Sequence, residues 1–272
     1  MNDAEILDHV VATAREAGAL TLKHFAKFRD IEIGIKGPAD FVSEADKQSE
    51  LLIRKRLFDR WPDWSFTGEE FAPVDGDQNY RWLVDPIDGT TNFINGMHYT
   101  ISIALRRGNE TVLGALYNPP ADEMFTVLKG QGAFLNGTRL KVSEQSEIGL
   151  FAIGTGLATK KLTSHPGFYE RLDRIVNEVG GVRTVGSAAN CCAYVAMGRL
   201  TGYFEETGFT DTAAAILMVQ EAGGIVTDWW GRGPETYEQT GCLIVANRAT
   251  HAYLIDHLKD VPMKNGKSKP AL

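Results

Sequence analysis

Arg81-Trp82-Leu83-Val84-Asp85-Pro86-Ile87-Asp88-Gly89-Thr90-Thr91-Asn92-Phe93 begins as an apolar run and ends as a polar, acidic turn. Arg81 to Val84 reads as a short buried strand, so Asp85 and Asp88 fall where the chain leaves a sheet. Pro86 fixes φ and removes a donor. Gly89 permits a tight turn and a close approach of backbone to a ligand. Two carboxylates beside a run of hydroxyl and N–H donors point to a divalent cation and an anion meeting at a strand end.

Outward from this stretch, the pattern changes twice. Before it, apolar residues at helical spacing (Ile6, Val10, Ala14, Ala17, Leu20, Phe25) predict a long helix over 4–28. A strand over 31–35 is broken by Gly37-Pro38. A second helix starts at Ser43, with Asp46 as its capping-box acid and Leu51, Leu52, Ile53 and Leu57 as its apolar face. Trp61-Pro62 ends it, and a short strand at 65–67 leads into Gly68-Glu69-Glu70. After the opening stretch, strand-like runs at 99–105, 112–117, 123–128 and 133–135, with turn signals Gly108-Asn109 and Asn136-Gly137, predict an antiparallel meander.

Beyond about residue 145 strands and helices alternate, which predicts a mixed α/β layer. The strands are expected at 151–154, 182–185, 200–204, 225–227 and 242–246, and the helices at 166–179, 188–197, 211–222 and 249–258. The expected organisation is an N-terminal half over 1–145 that carries most of the acids. A C-terminal α/β half over 146–261 supplies Asp211, and a disordered Lys- and Pro-containing tail spans 262–272.

The 272 residues suffice for one large domain or two closely packed ones. A net charge of -7 argues against general affinity for nucleic acid or anionic membrane. No apolar run approaches membrane-spanning length, and the acidic N-terminus is not a signal peptide. Cys191, Cys192 and Cys242 sit in apolar surroundings and read as reduced core cysteines of a cytoplasmic protein. The six histidines show no zinc spacing.

Glu69, Asp85, Asp88 and Asp211 each stand between a regular element and a loop. All four also read as helix caps and turn formers, and Asp211 suits that role well. Asp85-Pro-Ile-Asp88-Gly89 suits it poorly, because two acids following a buried strand are costly unless partnered. Mg²⁺ prefers hard oxygen ligands, and the Ile87 carbonyl between the two aspartates is a further one. Gly89-Thr90-Thr91 offers consecutive amides for an anion. Gly186-Ser187-Ala188 is a second candidate, with Ser187 as the N-cap of a helix aimed at the site. Thr90 is a candidate proton relay if Asp46 holds its hydroxyl; Asp46 reads equally as a helix-start carboxylate. There is no Walker loop, since Gly266-Lys267-Ser268 lacks the upstream glycine, and no G-x-S-x-G elbow.

Asp85-Pro-Ile-Asp-Gly-Thr-Thr-Asn92 resembles the first signature of the inositol monophosphatase superfamily, Mg²⁺-dependent and lithium-sensitive sugar phosphatases. Lys36 with Asp40-Phe-Val-Ser-Glu-Ala-Asp46, Gly68-Glu69-Glu70, Arg183-Thr-Val-Gly-Ser-Ala-Ala189 and Glu221-Ala-Gly-Gly224 resemble further family segments, so the likeness covers nearly the whole chain. It implies an α/β (α+β) fold, a layered αβαβα sandwich, in a homodimer. It also implies that Glu69, Asp85 and the Ile87 carbonyl hold one Mg²⁺ and that Asp85, Asp88 and Asp211 hold a second. Glu69 would help position a third, weaker ion and the attacking water, which Thr90 and Asp46 polarise. The Gly89 and Thr90 amides would take the phosphate beside Asp88, and Ala188 and Glu206 would contact the polyol. Inositol 1-phosphate is the leading substrate. Histidinol phosphate, fructose 1,6-bisphosphate and 3′-phosphoadenosine nucleotides are alternatives, and a binding role in RNA-polymerase-associated assemblies is an alternative of another class. The second signature departs from the family's W-D-x-A-A-G: Thr210-Asp211-Thr212-Ala213-Ala214-Ala215 has lost the Trp and the Gly, after a shortened loop. Phe209 is the candidate to replace the lost indole packing.

Overall fold

The computed structural model describes residues 2–30, 33–37, 40–156 and 167–261. The expected tail over 262–272, and the starts of the strand expected at 31 and the helix expected at 166, lie outside the described residues.

The first half builds helix α1 (Asp3–Phe25), a small hairpin of β1 (Ile33–Gly37) and β2 (Asp40–Ser43), and helix α2 (Glu44–Phe58). Strands β3 (Trp64–Thr67) and β4 (Asp77–Asp88) pair in parallel. A one-turn helix α3 (Thr90–Ile94) follows β4. Strands β5 (Thr100–Arg107), β6 (Glu110–Asn118), β7 (Glu123–Leu128), β8 (Gly132–Leu135) and β9 (Thr138–Arg139) then add one after another, each antiparallel to the last. The meander thus forms a seven-stranded sheet in the order β3-β4-β5-β6-β7-β8-β9.

The second half supplies β10 (Ala152–Thr155), α4 (Phe168–Val176), β11 (Gly181–Arg183), α5 (Ala188–Ala196) and β12 (Gly202–Glu206). It continues with α6 (Phe209–Glu221), β13 (Ile225–Thr227), α7 (Pro234–Thr240), β14 (Cys242–Ala246) and α8 (Arg248–Leu258). Its five strands form a mixed sheet in the order β11-β10-β12-β14-β13. Three expectations need correction. β4 starts earlier than expected, at Asp77, because its polar first residues pair through backbone. α3 is too short to show a period, and α7 has almost no apolar residues, so neither was foreseen.

Side-chain alternation along the strands sets the layers. Trp82 and Val84 of β4 pack with Ile6, Val10 and Ala14 of α1 and with Ile53 and Leu57 of α2. Leu83 faces the other way, into a cluster with Ala189 and Cys192 of α5 and Ala213 and Leu217 of α6. Leu243 and Val245 of β14 close that cluster from the second sheet. Ile244 and Ala246 of β14 point outward, onto Phe168 and Ile175 of α4 and Leu254 and Leu258 of α8. The result is helices, sheet, helices, sheet, helices: the αβαβα sandwich. Each fully buried Leu, Ile or Val stabilises it by about 1.5–3 kcal/mol. The middle layer is thin because its contacts are small: a Cβ on Gly114 of β6 would stand 2.7 Å from the Ala214 Cβ. The three cysteines are free and buried, and burial pushes the Cys242 thiol up to about 12.

The apolar face expected for α2 is only half right. Ile53 and Leu57 are buried, but Leu51 is 50% exposed. The first turns of α2 instead bury Asp46, Ser49 and Glu50.

Candidate active site

β4 brings Asp85 to the sheet face that Leu83 occupies, toward the middle helices, because residues two apart share a face. Asp85 stays in register with Ser102 of β5, and a bulge then separates it from Asp88. The bulge turns the chain so that both acids are buried together, 2% and 8% exposed. The Ile87 amide donates to Asp85 Oδ1 at 2.9 Å, which tightens the turn. Gly89 completes it with φ 98°, where a Cβ would meet the Gly186 carbonyl oxygen at 2.9 Å.

Around this turn four carboxylates converge. Burial holds the Asp85 carboxyl well above the usual range, and the nearby Glu69, Asp211 and Asp88 carboxylates push it further. Glu69 is also within hydrogen-bonding reach of Asp85. Glu69 comes from the loop after β3, and Asp211 from the first turn of α6. Asp88 is pushed up to about 7 by burial and then by Asp211. Bonds from Ser187 Oγ (2.5 Å) and from the amides of Ala189 (2.7 Å) and Ala188 (3.3 Å) pull it the other way. The start of α5, expected to face an anion, therefore faces the Asp88 carboxylate. Ser187 is its N-cap, accepting from the Asn190 amide at 3.2 Å.

A second cluster adjoins the first. The Thr90 hydroxyl lies 3.1 Å from Asp46 Oδ1 and 3.3 Å from the Ile87 carbonyl oxygen. Ser43 fixes the other Asp46 oxygen through its amide (2.8 Å) and its hydroxyl (2.5 Å). Asp46 is thus both things the sequence suggested, the capping-box acid of α2 and the acceptor for Thr90. Burial raises its carboxyl despite these bonds.

The two expected substrate contacts come from different elements. Ala188 is buried at the start of α5, its amide on Asp88. Glu206 is half-buried at the end of β12, paired in register with Cys242. The Thr207 amide donates to the Gly241 carbonyl at 2.9 Å, which ties the loop between β12 and α6 to the end of α7. Phe209 packs on Tyr237 (ring centroids 5.8 Å apart) beneath the Arg106 guanidinium (4.9 Å).

Sequence reasoning missed one further clamp. Asn92 is buried and its Nδ2 donates to the His98 carbonyl at 2.9 Å and the Val185 carbonyl at 2.7 Å. It joins α3 to the segment that carries Ser187.

Among the described residues no group of three or more His, Cys, Asp or Glu side chains stands in metal-holding geometry. The acids still converge, with Asp88 bonded to the start of α5 and Asp85 within reach of Glu69. The donor chemistry nevertheless fits a hard divalent cation, since carboxylate oxygens crowded in a buried site repel one another unless a cation joins them.

A model of the inositol monophosphatase family matches residues 2–263. The chain belongs to the inositol monophosphatase family. An inositol-1-monophosphatase of Rhizobium meliloti is 38% identical over 250 residues, 91% of this chain and 93% of that protein. The Nus factor SuhB of Escherichia coli K12 is 36% identical over 259 residues, 94% and 96% of the two chains. The crystal structure of the extragenic suppressor protein SuhB from Bartonella henselae superposes with a TM-score of 0.90 at 37% identity, covering 94% of this chain and 99% of that one. The αβαβα sandwich is thus the fold of the inositol monophosphatase relatives. No helix among the described residues is long and apolar enough to cross a membrane.

Proposed function

We propose that this protein is a Mg²⁺-dependent phosphatase of a small polyol or sugar phosphate monoester, with inositol 1-phosphate the leading substrate. The observation that carries this reading is the convergence of Glu69, Asp88 and Asp211 on the buried Asp85, next to a Thr90 hydroxyl held by Asp46. Glu69, Asp85, Asp88, Asp211 and the Ile87 carbonyl would hold two or three ions. Bound there, Mg²⁺ supplies charge neutralisation at the phosphoryl group and a lowered pKa for water.

The chain's own groups do the rest. Asp46 accepts the Thr90 O–H, which leaves a Thr90 lone pair facing the attacking water; as the water gives a proton to Thr90 Oγ1, the Thr90 hydroxyl proton passes to Asp46. The Gly89 and Thr90 amides receive phosphoryl oxygens. Ala188 and Glu206 border the polyol, and the loop tied at Gly241 sets the angle of Glu206. Water adds to phosphorus as the ester oxygen leaves with a proton, giving the alcohol and inorganic phosphate.

The test is phosphate release from inositol 1-phosphate, histidinol phosphate, fructose 1,6-bisphosphate and 3′-phosphoadenosine 5′-phosphate, each with Mg²⁺. Release should stop with EDTA and return with Mg²⁺. Unchanged release in EDTA-treated enzyme would remove the mechanism, and preference for another ester would replace the substrate. Lithium inhibition, a homodimer and a cytoplasmic location belong to the same reading. The relatives named Nus factor SuhB favour a second role at RNA polymerase. Nuclease-resistant copurification with the polymerase would support that role.

A further inference from the structure

Three charged side chains outside the site are buried among the described residues: Glu50, Arg171 and Asp228. Asp228 is taken up within its own loop by Arg232 and by the amides of Trp230 and Arg232. Arg171 donates to the Val261 carbonyl and lies over the Trp229 ring. Glu50 alone of the three reaches toward the acids of the site.

Glu50 stands one turn after Asp46 on α2 and is fully buried. One carboxylate oxygen accepts from the Glu70 amide at 2.7 Å, and the other from the Phe71 amide at 3.2 Å. The Glu69 amide also contributes a hydrogen bond to it. Three successive amides therefore close on one carboxylate, a backbone nest of the kind that binds anions. The fit leaves no room at the neighbouring position: a Cβ on Gly68 would stand 2.2 Å from Glu50 Oε1. This explains the glycine of Gly68-Glu69-Glu70, which spacing alone left without a role.

A buried carboxylate is costly even when hydrogen-bonded, and an apolar residue would fill the space without that cost. What the carboxylate adds is direction. With the amides of 69–71 turned inward, the loop has one way to present its side chains, and Glu69 reaches Asp85. We propose that Glu50 is a positioning residue that fixes the 68–71 turn on α2, so that Glu69 is held ready beside Asp85 for the divalent cation. The proposal rests on the reading of Glu69 as a metal-site carboxylate.

The test compares Glu50→Gln with the wild type and with Leu254→Ala, a control that weakens the distant α8 packing. In Glu50→Gln one carboxylate oxygen becomes an NH₂ group facing an amide N–H. Hydrogen–deuterium exchange of a peptide covering residues 66–74 should speed up at least tenfold in Glu50→Gln and stay unchanged in Leu254→Ala. Mn²⁺ affinity, read by electron paramagnetic resonance, should fall about tenfold, as should apparent Mg²⁺ affinity in phosphate release. The KM for inositol 1-phosphate at saturating Mg²⁺ should move less than twofold. A folded Glu50→Gln protein with wild-type exchange, or with faster exchange and wild-type Mn²⁺ affinity, would overturn the proposal. So would an equal loss of Mn²⁺ affinity in Leu254→Ala. If the wild type releases phosphate from no ester, the proposed activity fails, while exchange and Mn²⁺ binding still decide the role of Glu50.

Discussion

Helices α2 and α5 both begin on a serine whose hydroxyl lies 2.5 Å from an aspartate oxygen. At α2 the acid is Asp46, three residues along the same chain segment. At α5 it is Asp88, 99 positions away in sequence at the end of β4. The local pair closes a capping box and leaves one Asp46 oxygen for Thr90. The remote pair spends both Asp88 oxygens on α5 and joins the first sheet to the middle helix layer. The same chemical device thus starts a helix in one place and assembles a site in the other.

Asp88→Asn separates the two uses most sharply. It should lower phosphate release by on the order of a thousandfold, about 4 kcal/mol of transition-state stabilisation. It should also remove a pH dependence from the stability of the metal-free protein. The sign follows from linkage. Burial and the nearby Asp211 push Asp88 up to about 7 in the folded protein, from the ordinary 3.8. Between those values the folded state binds the extra proton, so stability falls as pH rises. Thermal melts of EDTA-treated wild type should therefore drop from pH 5 to pH 7.5. The same melts of Asp88→Asn should be flatter, and a steeper fall in the variant would contradict the assignment.

Asp46→Asn should cost less, roughly a hundredfold in kcat through the Thr90 contact. Its KM should change little, and a raised KM with normal kcat would move Thr90 out of the reaction. Smaller still are Ser43→Ala and Ser187→Ala. Each should remove about 1 kcal/mol of stability as a lost N-cap, measurable by urea unfolding. If only one of them does, the likeness between the two helix starts is superficial.

The contrast also shows what could be read in advance. The Ser43–Asp46 box was legible because both members fall within one turn of helix. The meander was legible because alternation and turn residues are local signals, as Asn136-Gly137 between β8 and β9 illustrates. The bond from Ser187 to Asp88 was not legible from spacing, since nothing in either segment names the other. Glu50 was hidden for a different reason. Periodicity sorts residues by polarity, and it sent Leu51 inward, whereas the loop amides of 69–71 make its neighbour Glu50 the buried one.

The close approach of Gly114 to Ala214 makes the middle of the sandwich a spacer of set thickness. Asp211 rides on the first turn of α6, the helix that carries Ala214, while Asp85 belongs to the sheet that carries Gly114. A methyl group added at Gly114 would push that helix off the sheet and take Asp211 with it. The gauge of the site, the distance between its two groups of acids, is therefore machined by two small residues that never meet a ligand. Tuning that gauge would be a route to changing ion preference without altering a single coordinating side chain.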